Sequence, residues 1–245
     1  MMLASGGAFL VTAAAVFGAA PVVEVSKSAV TWQGSRVVGL DAGRLGAGEL
    51  EGLVVRRLDE VARPVFRAAR EAMRGVGEIV TAEMRAEPGV AWGVVARAMV
   101  TLELAGADRV HVEGIGRGCG SGSGGGCGSG CGHAGDGGLV SVSKVIVKSL
   151  ARHRGIKWSA YPTIWLTRRG YAVYTHPSGR IAQHLKATGR EWIGALRSIR
   201  EVFSSEQNLA IMAEDAISFR EMLKVRACAR ALGFSQAVFR PGLFR

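Results

Sequence analysis

After an apolar start, short alternating runs follow. Val22-Val23-Glu24-Val25, Ala29-Val30-Thr31-Trp32 and Arg36-Val37-Val38-Gly39-Leu40 are separated by polar and glycine turns, among them Gln33-Gly34-Ser35, and predict three strands of a small sheet. From Glu49 to about Arg74, Leu53, Val54, Leu58, Val61, Val65, Phe66, Ala69 and Met73 recur at helical spacing with charges opposite. Pro64 predicts a kink or a split there. A second helix is predicted from about Val90 to Leu104, and Arg109 to Glu113 then alternates like a strand.

Residues 114–138 interrupt this pattern with fourteen glycines in twenty-five residues, where backbone entropy opposes a fixed shape. Beyond them the pattern predicts a helix over Ser141–His153, an aromatic helix around Trp158–Arg169, and strands over Tyr171–His176 and Arg180–Leu185. Thr188 and Glu191 then have capping-box spacing for a helix running to about Phe203, and Asn208–Ala213 reads as a buried strand. Ile217, Phe219, Glu221, Leu223 and Val225 alternate with Ser218, Arg220, Met222 and Lys224, which favours a strand. Asp215 could instead cap a helix over 216–232 that ends at Gly233. The expectation is an α+β chain: an N-terminal domain with a small sheet and helices (1–113), a glycine-rich linker (114–138), and a C-terminal α/β domain (139–245) with a mixed sheet flanked by helices.

Composition changes this picture mainly through charge. With 245 residues, 48% of them hydrophobic, the chain is neither disordered nor, lacking a Gly-X-Y period, collagenous. Its formal net charge of +11 favours a polyanionic partner, nucleic acid first and an acidic membrane surface second. Between Lys144 and Arg200 lie twelve basic residues against one acid, Glu191, so the other residues carry nineteen of each sign. The whole excess belongs to one segment. Lys144, Lys148, Arg152, Arg154, Lys157, Arg168, Arg169, Arg180 and Lys186 are therefore the candidate nucleic-acid contacts, set against the plainer reading of a solvated basic face.

Other chemistry is sparse. Cys119, Cys127, Cys131 and His133 could hold a zinc ion in the glycine tract, but their spacing fits no standard zinc module, and no metal or other cofactor is expected. His153, His176 and His184 have no spacing that forces them together, so they read as surface or RNA-facing groups and no catalytic residue is assigned. Trp158, Tyr161 and Trp165 share one helical face, which suits a core better than a base-stacking platform. The cysteine pattern favours a reducing, cytoplasmic setting. Against that, Met1 to Val23 carries no charge and could be a targeting segment, an anchor or a buried element. A membrane partner and a small-molecule substrate are not expected.

The order of a helix, Leu166-Thr167-Arg168-Arg169-Gly170-Tyr171-Ala172-Val173, a strand, a helix over 190–203, strand Leu209–Ala213, the acidic turn Glu214-Asp215 and a strand over Ile217–Val225 resembles the C-terminal domain of the tRNA-splicing endonuclease family. The resemblance covers about residues 139–226. It implies cleavage of precursor tRNA by a Tyr, a His and a Lys without metal, yet this chain is too short between Tyr171 and Arg190 for the segment carrying the first two. It has Gln207 near the Lys position. What the resemblance then implies is a non-catalytic subunit that binds RNA and pairs with a catalytic endonuclease subunit through Glu214 and Asp215. A stand-alone winged-helix-like DNA-binding protein and an exported or membrane-attached protein are the alternatives.

Overall fold

A computed structural model describes residues 20–74, 79–115, 162–174, 181–185 and 191–240. The first half contains β1 (Val22–Val25), β2 (Ala29–Trp32), β3 (Ser35–Asp41), β4 (Arg44–Leu45), β5 (Leu50–Glu51), β6 (Val54–Val55), α1 (Arg56–Ala72), β7 (Thr81–Ala86), α2 (Trp92–Ala105) and β8 (Arg109–Gly114). The second contains β9 (Thr163–Thr167), β10 (Gly170–Tyr174), β11 (Ile181–Leu185), α3 (Glu191–Val202), β12 (Asn208–Ala213), α4 (Phe219–Ala231) and β13 (Gln236–Phe239). The fold is α+β with two mixed sheets, ordered β4-β3-β2-β1-β7-β8 and β11-β10-β9-β12-β13, beside a small β5-β6 ribbon.

Several expectations change for local physical reasons. The first helix starts only at Arg56, because the residues ahead of it pair as β5 and β6. It runs through Pro64 as one element, anchored by fully buried Leu58 and Ala62 before the proline and Phe66 after it. Residues 163–167, expected to end an aromatic helix, form β9, with Ile164 and Leu166 in the core and Trp165 on the opposite side. The ambiguous stretch after Asp215 is a helix, with a cap one turn later than the aspartate. Ser218 Oγ accepts the Glu221 N–H, and Phe219, Met222, Val225, Cys228 and Ala229 bury one face. Strands β7 and β13 were not anticipated. The helix predicted over Ser141–His153 lies outside the described residues.

The sheets reveal an internal repeat. Without β4, both run in the same order: an antiparallel three-strand meander, then two parallel strands, each reached through a helix. Register agrees as well: Met84 faces Val23 and Val112, and Ile211, at the equivalent place, faces Ile164 and Phe239. After α2 and α4 the chain turns identically. Ala107 N–H donates to Leu102 O and Phe234 N–H to Ala229 O, with Gly106 (φ 130°) and Gly233 (φ 96°) taking the left-handed conformation that this closure requires.

The two repeats join through a short antiparallel ladder centred on Ala91 and Ser218. Trp92 N–H donates to Ile217 O (2.7 Å) and Phe219 N–H to Val90 O (2.8 Å); Gly93 N–H donates to Asp215 O (2.9 Å) and Arg220 N–H to Pro88 O (2.7 Å). Each bond in a pair becomes the other when equivalent residues are exchanged, so the halves are related by a pseudo-twofold axis. Trp92 stacks on Phe219 across that axis, centroids 6.3 Å apart and planes 14° from parallel, and Phe239 meets both rings edge-on. One continuous hydrophobic cluster includes buried residues of both halves, from Val23 to Phe239.

Enclosure by its neighbours makes α2 apolar nearly all round, with twelve of its residues buried. Glu103 is the one acidic residue on it. It is buried, neither carboxyl oxygen has a hydrogen-bond partner among the described residues, and burial pushes its pKa from 4.5 to about 9. The unfolded chain releases this proton from about pH 4.5 upward while the folded chain keeps it to about pH 9, so stability should fall across that window. Glu103→Gln should flatten the fall and raise stability at pH 8 by on the order of 2–4 kcal/mol relative to pH 5. Urea unfolding at both pH values checks this; an unchanged slope would contradict it.

Candidate nucleic-acid interface

Each repeat presents a hairpin turn beside the central ladder. In the first, Ser26-Lys27-Ser28 links β1 to β2; in the second, Arg168-Arg169 follows Thr167, the last residue of β9, and leads into β10. Hydroxyls shape both turns: Ser28 N–H donates to Ser26 Oγ (3.3 Å) and Arg169 N–H to Thr167 Oγ1 (3.2 Å). A carboxylate then closes each one. Lys27 N–H donates to Glu87 Oε2 and Arg168 N–H to Glu214 Oε2, both at 3.0 Å. The backbones of these glutamates donate in turn to Val25 O (2.8 Å) and Leu166 O (2.9 Å), which fixes the carboxylates where the parallel strand ends.

This construction holds Lys27, Arg168 and Arg169 exposed on either side of the axis. Arg220 is exposed too, and its N–H is bonded to Pro88 O, next to Glu87. Gly89 leaves room for the lysine stem, since a Cβ there would lie 2.5 Å from Lys27 Cε. Four cations thus flank the seam, and the carboxylates beside them are turned toward backbone N–H groups. The arrangement suits an extended anion crossing the seam.

Of the candidate contacts read from sequence, Arg168 and Arg169 fall here. Lys144, Lys148, Arg152, Arg154, Lys157, Arg180 and Lys186 lie outside the described residues, as do Cys119, Cys127, Cys131 and His133. Two further arginines of the basic segment differ in their surroundings: Arg197 is exposed on α3, whereas Arg200 donates to Glu206 O (2.7 Å) and lies over the Phe234 ring. Glu214 closes the turn of its own half, and Asp215 Oδ2 accepts from Arg97 Nη2 (2.7 Å) across the seam, so both acids have partners within the chain. Tyr171 is a core residue. Cys228 is disulfide-bonded, and its partner lies outside the described residues.

Lys27 and Arg220 were missed because neither belongs to the basic segment. The signal that finds them is the repeat itself: Ala86-Glu87 before Val90 and Trp92 recurs as Ala213-Glu214 before Ile217 and Phe219. Among the described residues no cluster of three His, Cys, Asp or Glu could hold a metal ion, and no helix is long and apolar enough to cross a membrane. Comparison of the chain with protein-family models, curated proteins and solved structures finds no match.

If the glutamates hold the turns, Glu87→Ala and Glu214→Ala should each destabilise the chain by about 1–2 kcal/mol, and the Gln variants, which keep an acceptor, by less. Denaturant midpoints of the four variants test this; equal losses for Ala and Gln would show that acceptance by the side-chain oxygen is not what matters.

Proposed function

We propose that the chain is a non-catalytic RNA-binding protein, built as a dimer within one polypeptide, that grips the phosphate backbone across its seam. The observation that supports this reading best is the repeated turn, which places Lys27 on one side of the axis and Arg168 and Arg169 on the other. The excess of +11, all of it in the segment that contains these two arginines, adds the long-range attraction that a polyanion needs. Precursor tRNA as the ligand, a catalytic endonuclease subunit as the partner and a cytoplasmic setting come from the resemblance and the composition. The structure adds a difference to that resemblance: two of the elements it rests on, the helix ahead of Arg168 and the strand over Ile217–Val225, are a strand and a helix.

A second reading has one specific observation in its favour. The disulfide at Cys228 suits an oxidising compartment, which favours an exported or membrane-attached protein with the uncharged Met1–Val23 as its targeting or anchoring segment. Fractionation of the native host separates the two settings.

For the RNA reading, fluorescence anisotropy with a labelled single-stranded oligouridylate should show binding that weakens steeply with salt. Lys27→Ala/Arg168→Ala/Arg169→Ala should cost about tenfold or more at 0.1 M salt and lower the salt slope by about 2. Absence of binding at low salt, or an unchanged slope in the folded triple variant, would overturn the reading.

A further inference from the structure

Helix α1 carries Arg63, Arg67 and Arg70, spaced so that they share one face, and Arg74 follows two residues past its end. They line an open groove of about 460 Å³ with Glu71 and, from the end of α2, Leu104 and Gly106. The arginines divide into two kinds. Arg63 is clamped by Asp59 (2.8 Å), and Arg70 by Gly106 O (2.8 Å) and Asp108 (2.9 Å), so these two form fixed walls. Arg67 and Arg74 are exposed and have no ion-pair partner among the described residues. Arg67 lies within the helix and Arg74 just beyond its end, seven residues further along the chain, and both line the groove.

The repeat supplies an independent observation. Arg70 sits against Gly106, and Arg200 sits against the equivalent Gly233, where a Cβ would lie 3.2 Å from Arg200 Nη2. In both helices the residue four before this arginine, Phe66 or Leu196, is fully buried, and the one three before it, Arg67 or Arg197, is exposed. The same pair therefore recurs: an inner arginine bonded to a backbone carbonyl and an outer one held toward solvent. A helix stabilised only by its apolar face needs no such pair twice. In the first half Arg74, past the helix end, also lines the groove, and Leu104, one of two exposed large hydrophobic residues among the described residues, adds apolar surface to it.

We propose that the α1 groove is a track for single-stranded nucleic acid, in which Arg67 and Arg74 bind separate backbone phosphates and Leu104 packs against a base. This deepens the RNA reading and rests on it. An open groove lined by four arginines against one carboxylate, Glu71, with Arg67 and Arg74 in no ion pair among the described residues, is complementary to a chain of phosphates, whereas an acyl chain would require a deeper apolar cleft than Leu104 and Gly106 provide.

The test uses the full chain, a labelled twelve-nucleotide oligouridylate and vesicles containing phosphatidylglycerol. Arg67→Ala/Arg74→Ala, at two exposed positions, should fold with an unchanged melting temperature, bind the oligonucleotide about fivefold or more weakly, and show a salt slope lower by about 1.4. Unchanged affinity and slope in this variant, while the seam triple variant still loses affinity, would overturn the groove and leave the seam standing. Loss in the groove variant alone would leave the groove and overturn the seam. Failure of the unmodified chain to bind the oligonucleotide would overturn both, and loss of vesicle binding without loss of oligonucleotide binding would assign the arginines to an anionic lipid and contradict the proposal.

Discussion

Four backbone hydrogen bonds between residues 88–93 and 215–220 constrain everything else in this chain. They form where each repeat leaves its fourth common strand and enters a helix, so the same peptide groups that start α2 and α4 also tie the halves together. Trp92 and Phe219 can stack only because the ladder brings their strand-to-helix corners face to face. Removing either ring would open a cavity shared by both halves, and losses of that kind are among the largest that a core substitution produces. The ion pair Arg97–Asp215 lies on the rim of this contact and adds direction more than energy, since its carboxylate is partly exposed.

The exposed chemistry follows from that constraint. Glu87 and Glu214 stand one residue before the ladder begins, and each reaches back to a hairpin turn of its own half. The carboxylate that closes the turn is bonded to a backbone N–H while the neighbouring lysine or arginine side chain stays exposed, so a structural device repeated twice generates cations on both sides of one axis. The inner arginines Arg70 and Arg200 show a similar economy: they secure a helix to nearby backbone carbonyls while the adjacent Arg67 and Arg197 stay exposed.

Much of the first half was legible in the sequence, because its strands alternate cleanly and α1 has one apolar face. The second half was harder. Trp158, Tyr161 and Trp165 imitate a helical stripe, yet Ile164 and Leu166 in the same stretch obey the strand period, and the parallel pairing of β9 with β12 decides in favour of the strand. After Asp215 the alternation of Ile217 to Val225 imitated a strand, while Ser218 and Glu221 supplied a helix start. The repeat is faint in the sequence because few letters are shared: a buried position asks for apolarity and neighbours adjust to its size, so Trp92 and Phe219, Val112 and Phe239, or Ala107 and Phe234 serve equivalent places with different side chains. The candidate interface was half visible for the same reason, since charge counting finds Arg168 and Arg169 but only the repeat points to Lys27.

Native-state hydrogen exchange at the amides of Trp92, Gly93, Phe219 and Arg220 tests the central claim, that the halves are one cooperative body joined at a pseudo-twofold ladder, most directly. All four should exchange only through global unfolding, with the same free energy as core amides of β7 and β12 and the same response to denaturant. Exchange of the four at a markedly lower free energy, while β7 and β12 remain protected, would mean that the repeats separate as independent domains and would contradict the account.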